Sequence, residues 1–286
     1  MALPGGLAGL GGGERTPIAW PDRLTVGFIA IATLVFLALP IVIVVPMSFS
    51  SAANLTFPPP GFSLRWYAAF FGDARWHQAA LNSVLIAAVS STMAMCLGTL
   101  AAYGLVRGSF RGRRLVEANF IAPLIVPPVV KAVAIYIAYA KAGLLGSYLG
   151  LIVAHTILGV PYVVLLMSVA IRSFDQRIEQ VAASLGARFP TILRRVLLPN
   201  ILPSLAAAWI MAFIVSFDEI IITFFVFGRR ETIPKRMFTS LEQKIDPTIT
   251  AIATLLILVS LLTLAAVALL LRQGGMLRRD AGAGQA

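Results

Sequence analysis

The chain has 286 residues, 59% hydrophobic and only 12% charged, with a net charge of +11 and a mean hydropathy of +0.89. A soluble chain of this length carries roughly twice as many charges, about 25%, so the composition excludes a soluble two-domain protein and points to an all-α polytopic membrane protein. On such a protein the basic excess belongs to loops and lipid headgroups rather than to nucleic acid.

Residues 1–23 contain "GGLAGLGGGERTP" and read as a glycine-rich flexible tail. Six segments then reach the roughly 20 apolar residues that a bilayer crossing needs. They are Leu24–Ser48, Leu81–Val106, Phe120–Tyr139, Leu149–Ile171, Leu202–Phe227 and Ile249–Leu271, followed by a tail at 272–286. The first is too long for the apolar core of a signal peptide and reads as a retained span. The connection after it contains Pro58-Pro59-Pro60, which forbids regular structure, and then Trp66, Tyr67 and Trp76, which suit an interfacial helix.

Six spans put both termini on one side. The tails and even-numbered connections hold 14 Lys and Arg residues against eight on the other side, so the termini are expected in the cytoplasm. The fourth connection, within 172–200, is then cytoplasmic.

That connection is patterned. Ile178, Val181, Ala182 and Leu185 fall at i, i+3, i+4 and i+7, one face of a helix. Gly186 is placed to end it in a left-handed turn. Pro190 suits the first turn of a second helix, whose apolar residues are Phe189, Ile192, Leu193 and Val196. Three readings compete: a DNA-binding helix-turn-helix, hard to dock while tethered at both ends; a helix pair lying on the membrane surface; and a docking knob for a cytosolic partner.

The stretch resembles the "EAA" loop of permease subunits of ATP-binding-cassette importers: E-A-A, three residues, Gly, nine residues, Ile, any residue, Leu-Pro. Gly186 matches the glycine, and Val196, Leu197, Leu198 and Pro199 follow at the family spacing. The E-A-A positions themselves are Gln180, Val181 and Ala182, with the acid one place earlier at Glu179. "NSVLIAAVSSTMAMCLGTLAAYGLVR", "APLIVPPVV" and "GLIVAHTILGVPYVVLLM" are similar to the second, third and fourth spans of these permeases, and "SFDEIIITFFVFG" to an end section of the spermidine/putrescine-type branch.

The resemblance implies a type I ABC importer permease (MetI-like) fold in a bacterial inner membrane. It implies a second permease subunit, two cytosolic ATPases that bind ATP and magnesium, and an external solute-binding protein, with membrane lipid around the spans. It also implies ATPase-coupling residues: Glu179, Gln180, Val181, Ala182, Leu185, Gly186, Ala187, Phe189, Val196, Leu198 and Pro199. The chain has no phosphate-binding loop of its own, and its one cysteine and two histidines offer no metal set. It therefore reads as a transport subunit and not an enzyme.

Ionisable residues within spans mark function by default. Asp218 and Glu219 are expected about 23 Å up the fifth helix at 1.5 Å per residue, either lining the pathway or pairing with Arg229 or Arg230. Lys131 follows Pro127-Pro128, which break the helix. Three readings stay open for it: a pair with Asp218 or Glu219, a snorkelling side chain, or contact with an acid group on the substrate. His155 is expected to hydrogen-bond a neighbouring helix, with a role in the pathway as the sharper alternative. A polyamine is the expected solute, an amino-acid-, opine- or phosphonate-like compound the alternative. A secondary transporter is the competing class, but neither coupling-ion chemistry nor an internal repeat is visible.

Overall fold

The computed structural model describes residues 20–243 and 247–262, and these are helical apart from short links. The chain divides into two compact units, residues 1–63 with 250–286 and residues 64–249.

In the first unit, α1 (Trp20–Ser48) is a single helix despite Pro40 and Pro46. The chain after it doubles back through an antiparallel bridge between Ser50 and Phe62. The helix α13 (Thr248–Leu262) carries the described part of the expected sixth span. Residues 263–271 of that span, residues 1–19 of the N-terminal tail and the tail at 272–286 lie outside the described residues.

The second unit is built on two long helices, α3 (Ala74–Arg107) and α6 (Tyr148–Ser173). Both are long and apolar enough to cross a membrane unbroken, as is Leu24–Ser48 of α1. α3 starts seven residues before the expected Leu81, because Asp73 caps it by accepting from the Arg75 N–H. Trp76 therefore belongs to α3. The short helix before it, α2 (Arg65–Gly72), holds only Trp66 and Tyr67 of the expected interfacial set.

Two expected spans are not straight rods. The segment read as Phe120–Tyr139 is α4 (Arg113–Ile125) and α5 (Pro128–Ala142), bent by 107° at Val126 and Pro127. Pro127 and Pro128 lack N–H donors, so the hydrogen-bond ladder cannot pass through them. The segment read as Leu202–Phe227 is α10 (Leu202–Phe217), a break at 218–220, and α11 (Ile221–Val226). Counting each bent pair as one span, the hairpin limb before α10 included, gives up to five.

α10 packs against both α3 and α6. The seam between them is made of small residues. Ala94, Ala102, Ala208 and Ala212 are buried there, and a Cβ on Gly98 would sit 2.7 Å from Val163. A Cβ on Gly159 would approach Ala94 at 3.0 Å and Ala212 at 3.4 Å. With no difference in apolarity between lipid and side chain to drive association, close backbone approach is what holds such helices together. A second core gathers Ile86, Ala132, Tyr139, Leu151, Leu158, Ile222 and Phe227 at the other end of the unit.

Beyond α11 the chain forms an amphipathic helix, α12 (Ile233–Gln243), where only a loop was expected. It is tied to the start of α3: Arg236 pairs with Asp73 at 3.2 Å and Glu231 at 2.7 Å and lies over the Trp76 ring.

Candidate coupling hairpin and pathway residues

The patterned connection is a helical hairpin. Its first limb is α7 (Gln176–Ser184), capped by Asp175, whose side chain accepts from the Arg177 N–H at 2.9 Å. Gly186 closes it at φ +83°. The Ala187 N–H bonds back to the Ala182 carbonyl and the Gly186 N–H to the Ala183 carbonyl, the paired bonds of a Schellman ending. The second limb joins α8 (Phe189–Thr191), a π-helical stretch Ile192–Leu197, and α9 (Leu198–Asn200). It meets α10 at an 82° bend.

The two limbs use their apolar residues differently. Along α7, Ile178, Val181 and Leu185 are 48%, 58% and 82% exposed, so the chain's own fold leaves this apolar face uncovered. Gln180 is also exposed, whereas Ala182 and Ala187 are half-buried at the turn. In the second limb Ile192 and Leu197 are buried, and Leu193 and Leu198 pack against the core between α3, α6 and α10. Val196 is half-buried and Pro199 exposed. α7 thus presents a surface while the second limb anchors the hairpin.

Glu179, named among the coupling residues, is 6% exposed and turned inward. Its carboxylate accepts from Arg107 Nη2 at 2.7 Å, Arg107 Nε at 3.0 Å and the Tyr103 hydroxyl at 2.8 Å. Arg107 also donates to the Phe174 carbonyl at the end of α6. Phe189 packs its ring against Tyr103. One charge-assisted cluster therefore bolts α7 to the ends of α3 and α6. Arg107 and Tyr103 were missed because they lie more than 70 residues from Glu179, in a segment that reads only as a span end.

At the break after α10, Asp218 is exposed and Glu219 half-buried. A carboxylate oxygen of Glu219 accepts from the Ile222 N–H at 2.9 Å, capping α11. Among the described residues no ion pair joins either acid to Lys131, Arg229 or Arg230. Arg230 instead donates to the Gly146 carbonyl and covers the Tyr148 ring. Lys131 donates from Nζ to the Pro123 carbonyl at 3.0 Å. It thus caps an acceptor released by the break between α4 and α5. Leading toward Asp218, the rings of Trp209, Phe213 and Phe217 stack in series at 5.3 and 5.7 Å.

His155 is 1% exposed and hydrogen-bonds residues on either side of the break at 218–220. Its Nδ1 lies 2.8 Å from the Ser216 hydroxyl and its Nε2 3.2 Å from that of Thr223.

Residues 94–273 match the family described as the binding-protein-dependent transport system inner membrane component. The chain is 33% identical over 228 residues to the spermidine/putrescine transport system permease protein PotC of Haemophilus influenzae, covering 79% of this chain and 88% of that one. It is 34% identical over 230 residues to the putrescine transport system permease protein PotI of Escherichia coli, covering 78% and 82%. A crystal structure of a bacterial ABC transporter involved in the import of the acidic polysaccharide alginate shares the fold, with a TM-score of 0.68 at 18% identity over 88% of this chain and 99% of that one. The family places the chain in the inner membrane as a multi-pass transport subunit with no ATPase site of its own. An uncovered helical face beside a left-handed glycine turn, on a bundle whose spans are broken at prolines and acids, is therefore the architecture of an ABC importer permease, and the chain belongs to the binding-protein-dependent transport system inner membrane component family.

Proposed function

We propose that the chain forms half of the translocation pathway of an importer for linear polyamines. A second permease subunit completes the pathway, and an external solute-binding protein delivers the solute. Two ATPase subunits bind ATP and magnesium and grip the permeases, one at each hairpin. The observation that carries the coupling role is the exposed face of Ile178, Val181 and Leu185. Apolar residues displayed together on a short rigid helix suit a groove on a partner. The hairpin and both termini then lie on the cytoplasmic side, a placement that the excess of basic residues there supports.

The solute assignment draws on the chemistry around Asp218. A polyamine alternates methylene segments with ammonium groups. Stacked aromatic rings followed by a carboxylate without an ion-pair partner among the described residues offer apolar contact and then a counter-charge. Lys131, which had favoured a solute with an acid group, is engaged with a backbone carbonyl. The names of the two relatives point the same way. The test is to purify the intact complex with its binding protein and identify the released ligand by mass spectrometry. A linear polyamine is expected. A ligand carrying a carboxylate or phosphonate would overturn the solute assignment and leave the coupling role standing.

A further inference from the structure

We infer that His155 is the positioning residue that fixes the break at 218–220 and sets the outward aim of Asp218; the inference rests on reading Asp218 as a pathway carboxylate. Ser90 Oγ of α3 lies 2.9 Å from Ser216 Oγ, which lies 2.8 Å from His155 Nδ1. On the other side of the ring, His155 Nε2 lies 3.2 Å from the Thr223 hydroxyl, which reaches the Glu219 carbonyl at 2.9 Å. Ser90, Ser216, His155 and Thr223 thus form one continuous polar chain that ends at the backbone of Glu219.

The arrangement straddles the break. Ser216 is the next-to-last residue of α10 and Thr223 lies in α11. Residues 218–220 between them lack continuous helix, so their geometry needs an outside reference. One imidazole on α6 holds both sides, with Ser90 tying the assembly to α3. His155, Ser216, Thr223 and Ser90 are all nearly fully buried. Inside a membrane a group released from such a chain finds no water in exchange, so the chain resists opening. A histidine that merely filled space would not need both nitrogens bonded on opposite sides of a helix break.

The test uses the assembled complex carrying Cys96→Ala, which removes this chain's one thiol, and Asp218→Cys, with labelling read on this chain. A small cationic methanethiosulfonate reagent reports how accessible position 218 is. Adding His155→Leu, Ser216→Ala or Thr223→Val should lower the labelling rate, by up to about fivefold, the population change that one net hydrogen bond can bring, because position 218, exposed while the brace holds, loses its outward aim. Combining His155→Leu with Thr223→Val should lower it no further, because both cut the same brace. A control thiol at Ala94→Cys, buried in the helical seam, should stay unlabelled, whereas general loosening would expose it. An unchanged or raised rate in an assembled His155→Leu complex, multiplicative effects in the double variant, or exposure of the control thiol would each overturn the inference. If His155→Leu fails to assemble, Thr223→Val, which matches threonine in shape, carries the test. Labelling needs no solute. Normal polyamine uptake by Asp218→Asn would therefore defeat the pathway reading separately, without touching this measurement.

Discussion

Gly186 has room for a side chain: nothing lies within 4 Å of the position a Cβ would take. Its constraint is the backbone, at φ +83°, where an L residue is strained by about 1–2 kcal/mol. Gly186→Val should therefore leave the spans folded and lower ATPase retention on the purified complex, with loss of ATP-driven uptake. Gly186→Asn, which tolerates the left-handed region, should keep most of both. Glu179 sets a different constraint. Its pair with Arg107 is largely dehydrated, with side chains 7% and 12% exposed, and removing one partner strands the other charge. A double-mutant cycle with Glu179→Gln and Arg107→Met, read by thermal unfolding of the complex, should give a coupling energy of about 1–3 kcal/mol. Both single variants should also hydrolyse ATP with reduced uptake per ATP, because α7 would no longer move with α3 and α6. The apolar spacing and the glycine made the hairpin legible in the sequence. The inward role of Glu179 was not, since its identity as an acid near an E-A-A-like stretch points outward and only the fold brings Arg107 beside it.

The broken helices mark where element-level reading stopped. Hydropathy registers the length of an apolar run and is blind to its direction, so α3 and α6 were found to within a few residues at one or both ends while the 107° turn between α4 and α5 was not. The prolines at 127 and 128 did announce a break. What could not be read was that Lys131, one turn into α5, would return to cap the Pro123 carbonyl. Lys131→Met should accordingly destabilise the complex by about 1–2 kcal/mol through the orphaned Pro123 carbonyl, while leaving the solute concentration for half-maximal uptake unchanged. A shift in that concentration with no loss of stability would mean that the lysine meets the solute instead. The break at 218–220 gave no such warning: it contains neither proline nor glycine, and Glu219 as a cap for α11 becomes visible only once the helix has stopped.

At the scale of the molecule, charge is concentrated at the two ends of the 64–249 unit. Opposite the hairpin, the Arg236, Asp73 and Glu231 cluster pins α12 against the start of α3. Burial pushes the Asp73 carboxyl up, but hydrogen bonds from Arg75 and the charges of Arg236 and Arg75 outweigh it and hold the group below its ordinary value of 3.8. A depressed carboxylate stabilises the fold above its unfolded value and loses that contribution as pH falls through the folded one. Thermal stability of the complex should therefore decline as pH drops below about 4, and Asp73→Asn should flatten that acid limb. Equal acid slopes in the two proteins would remove Asp73 from the account. The fold class, the hairpin and the membrane setting were legible because each is written in local spacing. The pinning of α12 was not, because it joins residues more than 150 positions apart.

The π-helical stretch at Ile192–Leu197 carries one last consequence. A helix of this kind holds an extra residue in its turn relative to the α form. Elsewhere in a helix, deleting a residue turns everything beyond it by about 100° and pulls the buried face out of register. Within 192–197 a deletion would instead let the wide turn relax to an ordinary one, with Phe189 on one side and Ile201 on the other keeping their facing. The second limb thus holds a spare residue, and the hairpin can be shortened at Arg194 or Arg195 without unfolding the bundle that carries it.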